Sequence, residues 1–176
     1  MPTTVEVFRR YRGGGNVLVE TGSYKGDGIQ AALDAGFQRV ISIEIHPLLN
    51  EMCRKRFAAQ SNVSLVVGDS GLCLGKTLED VKEKFVCWLD GHLSGPDSGK
   101  GFRNAPIVEE LEHIRKHPFG SQATILIDDR RLMSKDEGLM VLETEITDKL
   151  KEINPNYHIT YIDGLVPNDI IVASPS

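Results

Sequence analysis

Five short apolar runs recur along the chain, and each ends in an acid. They are Asn16 to Glu20, Arg39 to Glu44, Val63 to Val67 with Gly68-Asp69 after it, Lys84 to Leu89 with Asp90 after it, and Ala123 to Ile127 with Asp128 after it. Between them lie stretches with apolar residues at helical spacing: Ile29, Ala32, Leu33 and Gly36 in one, Leu48, Met52 and Phe57 in the next, and Ile107, Leu111 and Ile114 further on. Dry strands alternating with amphipathic helices require a mainly parallel sheet covered on both faces. A last helix carries Leu139, Leu142, Ile146, Leu150 and Ile153, and two more runs, Tyr157 to Ile162 and Asp169 to Ala173, close the chain as an antiparallel pair. The fold expected is therefore a doubly wound, Rossmann-like α/β domain with a seven-stranded sheet.

Local signals set the boundaries. Pro47 opens a helix through about Ala59, and a further helix covers about Leu72 to Glu83. Asn104 is placed to cap a helix with Pro106 in its first turn. Ser134 and Glu137 have capping-box spacing ahead of the last helix. With 176 residues and no repeat, low-complexity tract or linker, residues 1–176 read as a single domain with residues 1–15 as an N-terminal extension. The start just before the first strand is equally that of a piece of a longer protein.

Composition excludes several classes. The net charge of −5 argues against binding to nucleic acid through bulk charge. No apolar run approaches the roughly 20 residues of a membrane helix, and the N-terminal stretch MPTTVEVFRRYRGGG lacks the apolar core of a secretory signal. Cys53, Cys73 and Cys87 are odd in number and without CxxC spacing, against a disulfide framework or a zinc site. A cytoplasmic protein is expected, without membrane or nucleic-acid partners, acting alone or as a homo-oligomer.

Ligands of such sheets bind beyond the carboxyl ends of the strands, so acids at every strand end are candidate site residues. The first strand leads into Glu20-Thr21-Gly22-Ser23-Tyr24-Lys25-Gly26-Asp27-Gly28. Its glycine spacing is neither the dinucleotide G-x-G-x-x-G nor a P-loop. A nucleoside pocket is expected instead, with Glu44, next to Ile45, accepting from ribose hydroxyls and Asp69-Ser70 edging a base. Glycine turns and strand-end acids also occur in α/β proteins with no such ligand.

These residues, in this order from about Val17 to Ala173, resemble a class I S-adenosyl-L-methionine (SAM)-dependent methyltransferase. The loop Glu20-Thr21-Gly22-x-x-x-Gly26 is similar to that of sugar O-methyltransferases of the macrocin type. The resemblance implies SAM as cofactor and S-adenosylhomocysteine (SAH) as product. It assigns the segment Glu20, Thr21, Gly22, Ser23, Tyr24 and Gly26 to the methionine part, Glu44 and Ile45 to the ribose, and Asp69 and Ser70 to the adenine.

In that family the fourth strand ends in D-G-D and the fifth in D-D, and these acids hold magnesium. Here the corresponding residues are Asp90-Gly91-His92 and Asp128-Asp129. By resemblance Asp90, Asp128 and Asp129 are metal ligands, and His92 stands where the proposed base would be. The departure is chemically sound: a hydroxyl is a poor nucleophile at neutral pH, a divalent cation lowers its pKa, and an imidazole can take its proton. Plainer readings stand beside these. Asp128-Asp129 also suits a turn, His92 a hydrogen-bonded loop, and Asp90 a contact to the amino group of SAM without metal. Residues 91–104, rich in Gly, Ser and Pro, suit a substrate loop in which Lys100 and Arg103 could meet an acidic group. One of Arg130 and Arg131 suits a counter-charge to the paired acids.

The function expected is O-methyl transfer to a hydroxyl of a sugar or glycan, assisted by Mg2+ or a similar cation. The alternatives are a metal-independent SAM methyltransferase acting on another small molecule or a protein, and a non-catalytic SAM-binding module.

Overall fold

The computed structural model describes residues 4–91, 105–136 and 138–176. Seven strands form one sheet: β1 (Val17–Thr21), β2 (Arg39–Glu44), β3 (Val63–Val67), β4 (Phe85–Leu89), β5 (Thr124–Ile127), β6 (His158–Ile162) and β7 (Ile170–Ser174). Their order is β3-β2-β1-β4-β5-β7-β6. β1 to β5 are mutually parallel, whereas β7 runs antiparallel to both β5 and β6. The expected fold class, terminal pair included, is the one observed.

The helices are α1 (Thr4–Tyr11), α2 (Asp27–Asp34), α3 (Pro47–Arg56), α4 (Ser70–Leu78), α5 (Ile107–Lys116) and α6 (Glu143–Ile153). Because strand side chains alternate, the sheet has two cores. Leu18, Val86, Trp88, Leu126 and Val172 pack with Phe8 of α1, Ile29 of α2 and Cys53 of α3. Val19, Ile43, Cys87, Leu89, Ile125 and Ile171 pack with Leu74 of α4, Leu111 of α5 and Ile146 of α6.

Four sequence expectations need correction. The segment before β1 is more than an extension: α1 buries Val7 and Phe8, and Phe8 meets Trp88 edge-on at 5.4 Å between ring centres. α3 turns a different face inward. Leu48 and Met52 are 71% and 51% exposed, while Asn50, Cys53 and Phe57 are buried. Asn50 explains this, because its Nδ2 donates to the Val66 carbonyl at 3.0 Å and its Oδ1 accepts from Arg54 Nε at 2.9 Å. Those bonds rotate the helix about a polar anchor. α4 begins earlier than expected because Asp69 caps it, accepting from the Gly71 amide at 3.0 Å, and it ends sooner, at Leu78.

The fourth correction concerns α6. Leu139 and Leu142 precede it rather than belonging to it. Gly138 and Met140 adopt φ of 61° and 56°, which a right-handed helix does not allow, so the chain cannot wind up before Leu142. Glu145 then reaches back to accept from the Leu142 amide at 3.0 Å. Ser134 Oγ accepts from Asp136 N at 3.3 Å, and its expected partner Glu137 lies outside the described residues. So does Asn104, and Pro106 itself occupies the N-cap position of α5.

Candidate active site

The strand order changes direction between β1 and β4, where one crossover runs toward β2 and β3 and the rest toward β5. Open α/β sheets bind ligands at such a point, beyond the carboxyl ends. β1 ends there in Glu20-Thr21 and Gly22, and β4 in Leu89 and Asp90. The two ends are tied by a bond from the Asp90 amide to the Thr21 carbonyl at 3.1 Å.

Gly22 is demanded by this junction. Its φ is +86°, and a Cβ would lie 2.4 Å from the Asp90 carbonyl oxygen. Neither the conformation nor the space admits a side chain. Replacing Gly22 by Ala forces β1 and β4 apart, and on the SAM reading that the resemblance implies it should cost at least about a tenfold loss of SAH affinity, roughly 1.4 kcal/mol. Calorimetry checks this; unchanged affinity would remove the junction from the site.

The loop from Gly22 to Gly26 folds back on β2. Glu44 is buried and accepts from the Tyr24 amide at 2.7 Å and the His46 amide at 2.8 Å. Its carboxylate thus holds both flanks of the crevice, with Ile45 half-buried between. The Tyr24 ring is 50% exposed, 5.1 Å from Lys25 Nζ, and Gly26 packs against Phe57. Asp69 and Ser70 follow β3 at the start of α4.

Glu20 is placed differently from its neighbours. It is in register with Ser42 on β2, whose hydroxyl donates to it. Ser42 also pairs with Ser23, whose side chain is buried. A Cβ on Gly28 would fall 1.9 Å from Glu20 Oε1, so α2 sits directly on the carboxyl. Burial, opposed by the Ser42 bond and reinforced by the charges of Asp90 and Glu44, raises the Glu20 pKa from 4.5 to about 8. Glu20 therefore stands as a neutral acid beneath the loop. Thr21 is equally buried, on the opposite face.

The fifth strand supplies a second acidic group. Asp128, Asp129 and Asp169 each present an oxygen within 4.8 Å of the others. Asp128 Oδ1 accepts from the Asp129 amide at 2.8 Å, and Asp129 takes a left-handed φ of 60°. Burial, then the charge of Asp90, then those of Asp129 and Asp169, raise the Asp128 pKa to about 7, against the Asp129 amide, which lowers it. Arg131 is paired with both Asp129 and the fully buried Asp169. Arg130 is occupied elsewhere, donating to Glu143 at 2.8 Å and lying over the Tyr161 ring.

Of the acids assigned to metal by resemblance, Asp128 and Asp129 come together, and Asp90 stands outside that trio while its charge still reaches Asp128. Asp169 was missed. It opens the last strand, so sequence reading treats it as the residue before a dry run; only the antiparallel pairing of β7 with β5 brings it to the carboxyl end of β5. The base expected at His92, with Lys100, Arg103 and the rest of the substrate loop after Gly91, lies outside the described residues. His46 caps α3, and His113 and His117 contact the Gly71 and Leu78 carbonyls.

The donor set suits a hard divalent cation, since carboxylate oxygens are its preferred ligands. The repulsion from Asp90, Asp129 and Asp169, which adds to burial in raising Asp128, is what a cation would relieve. Arg131 already supplies part of that relief.

No protein-family model matches the chain, and no curated protein matches it in sequence. Solved structures do. An SAH-bound methyltransferase of Podospora anserina superimposes with a TM-score of 0.64 over 100% of this chain and 80% of its own, at 13% identity. A Staphylococcus aureus protein described as a caffeoyl-CoA O-methyltransferase gives 0.63 over 100% and 84%, at 11% identity. An rRNA methylase of Streptococcus thermophilus gives 0.62 over 99% and 98%, also at 11%. What the chain shares with these structures is the fold, an α/β domain on a seven-stranded, mostly parallel sheet. No described helix is long and apolar enough to cross a membrane.

Proposed function

We propose that the chain transfers a methyl group from SAM to a hydroxyl oxygen, with a sugar or glycan as acceptor and a divalent cation assisting. One observation carries the cofactor reading: at the β1–β4 switch point, Gly22 is pressed against the Asp90 backbone, with Glu44 at the end of β2 holding the Tyr24 amide and Asp69-Ser70 following β3, the next strand out. That crevice matches the segments that the resemblance assigns to methionine, ribose and adenine. The structural neighbours include an rRNA methylase and a caffeoyl-CoA enzyme, so the acceptor is not carried by the fold. The net charge of −5 disfavours a nucleic acid, and the resemblance favours a sugar.

In this reading the chain's task is alignment. SAM supplies a methyl already activated on a sulfonium, so an acceptor oxygen held in line needs chiefly orientation and loss of its proton. Thr21 to Gly26 hold one end of the cofactor and Glu44 orders that loop. Asp90 stands at the rim between cofactor and acceptor. Asp128, Asp129 and Asp169 would hold a cation that lowers the acceptor hydroxyl's pKa, and His92 would take the proton.

Arg131 favours a second reading. A guanidinium that already pairs with Asp129 and Asp169 can make the acidic group a structural device, and transfer then proceeds without metal. The test is SAH formation from SAM over a panel of free sugars, sugar nucleotides and glycans, with Mg2+ and then with EDTA. Product that requires Mg2+ supports the metal-assisted reading. Product indifferent to EDTA supports the second. No SAH formed with any member of the panel, with or without Mg2+, would overturn both as accounts of transfer to a sugar hydroxyl.

A further inference from the structure

Glu110 lies in the first turn of α5 and is fully buried, yet among the described residues neither carboxyl oxygen has a hydrogen-bond partner. Thr21 Oγ1, buried beside it, also has none. The hydroxyls of Ser70 and Thr21 are near enough to lower its pKa, but neither closes a full hydrogen bond. Burial dominates, and the Glu110 pKa rises to about 7. A Cβ on Gly91 would sit 3.3 Å from Glu110 Oε1 and 3.1 Å from Thr21 Oγ1. Native proteins keep few buried polar groups unpaired, and each has a reason.

Its position supplies one. Thr21, Ser70 and Gly91 are the immediate neighbours of Gly22, Asp69 and Asp90. Glu110 therefore lies behind all three segments that face the crevice. We propose that Glu110 is a specificity-determining residue of the cofactor site, whose carboxyl, beneath the bound nucleoside, favours the cationic methyl donor over its uncharged-sulfur product. This rests on the SAM reading above.

The chemistry is that of linkage. SAM and SAH differ by one methyl and one positive charge on sulfur. When the C–S bond breaks, its electron pair returns to sulfur, the methyl joins the acceptor oxygen, and the acceptor's proton leaves to a base. A cation near an acid favours the ionised acid. By reciprocity, ionised Glu110 holds SAM more tightly than SAH, and loss of the sulfonium charge lets Glu110 regain a proton from solvent. The groups around Glu110 do not pre-empt this. Asp69 on α4 and Glu109 on α5 oppose its ionisation, and the thiols of Cys73 on α4 and Cys87 on β4 feel its charge. His113, one turn along α5, is engaged with the Gly71 carbonyl at 2.9 Å. Among the described residues no cation is seen to shift Glu110.

The test is calorimetric binding of SAM and SAH to the wild type and Glu110→Gln at pH 6 and pH 8. Glutamine keeps the shape of the neutral acid and abolishes its titration. The Kd ratio of SAH to SAM should rise with pH in both proteins, because Glu20 and Asp128 titrate in each, but the rise in Glu110→Gln should be about tenfold smaller than in the wild type, the effect of one unit of coupling. The amino groups of the ligands titrate alike with both proteins, so the comparison between them removes that contribution. Proton release on the wild type alone, read in buffers of different ionisation enthalpy, should be larger for SAM than for SAH near pH 7. An equal rise in both proteins, or equal proton release for both ligands, would overturn the assignment while leaving the cofactor site standing. Failure of the wild type to bind either ligand would overturn the SAM reading, and this inference with it.

Discussion

Raising the pH from 5 to 8 should cost the fold about 3 kcal/mol or more, and Glu20→Gln should remove much of that loss. The direction follows from burial. Glu20 is held neutral with its pKa raised from 4.5 to about 8. Below pH 4.5 the folded and unfolded chains both carry the proton, and its contribution is constant. Between 4.5 and 8 only the folded chain keeps it, so stability falls as pH rises, at roughly 1.4 kcal/mol per unit for one proton. Above 8 both have lost it and the curve flattens. Glu110 and Asp128, each raised to about 7, act in the same direction over the lower part of this window. His117, lowered by burial, pulls weakly the other way. Urea unfolding across pH 5 to 8.5 measures the slope. Stability that is flat or rises with pH in the wild type would refute the neutral-acid reading of Glu20. SAM should flatten the wild-type curve, because a bound cation favours the ionised acids.

Arg131→Met should destabilise the protein by about 3–5 kcal/mol, the cost of removing one partner of a buried pair. Asp169 has no exposed side-chain surface and Asp129 little, and both are paired with Arg131. Methionine keeps much of the aliphatic length, so the loss is mostly that of charge. The same variant separates the two readings of the acidic group. If Asp128, Asp129 and Asp169 hold a divalent cation, millimolar Mg2+ should recover a large part of the lost stability in Arg131→Met and raise the wild-type midpoint less, because Arg131 no longer competes. Recovery equal to that given by the same ionic strength of NaCl would show only screening. A destabilisation under about 1 kcal/mol would show that Arg131 is a surface charge after all.

The sequence discloses the sheet because dry runs such as Val40 to Ile43 and Val86 to Leu89 have no other stable place. It discloses the acids at the strand ends because a core gives no reason for them. It hides what depends on three dimensions. Leu48 and Met52 have the spacing of a buried stripe, but Asn50 turns the helix away from them. Gly138 and Met140 look like the start of α6 until their backbone is seen to be left-handed. Asp169 is far from Asp128 in sequence and meets it only through an antiparallel pairing whose register no local pattern encodes. Glu110 reads as one more charge on an amphipathic helix, and only its packing against Thr21 and Gly91 marks it out. Glu20 and Glu44 are both legible as site acids, yet they differ in kind. Glu44 is satisfied by two backbone amides, whereas Glu20 is stabilised as a neutral group.

The most direct test is calorimetric titration of the wild-type chain with SAM and SAH at pH 7. Saturable binding of both at one site, weakened by Gly22→Ala, is the expected result. Absence of heat and of any thermal shift with either ligand, from a protein shown to be folded, would contradict the cofactor crevice at the β1–β4 switch point and the methyl-transfer function built on it.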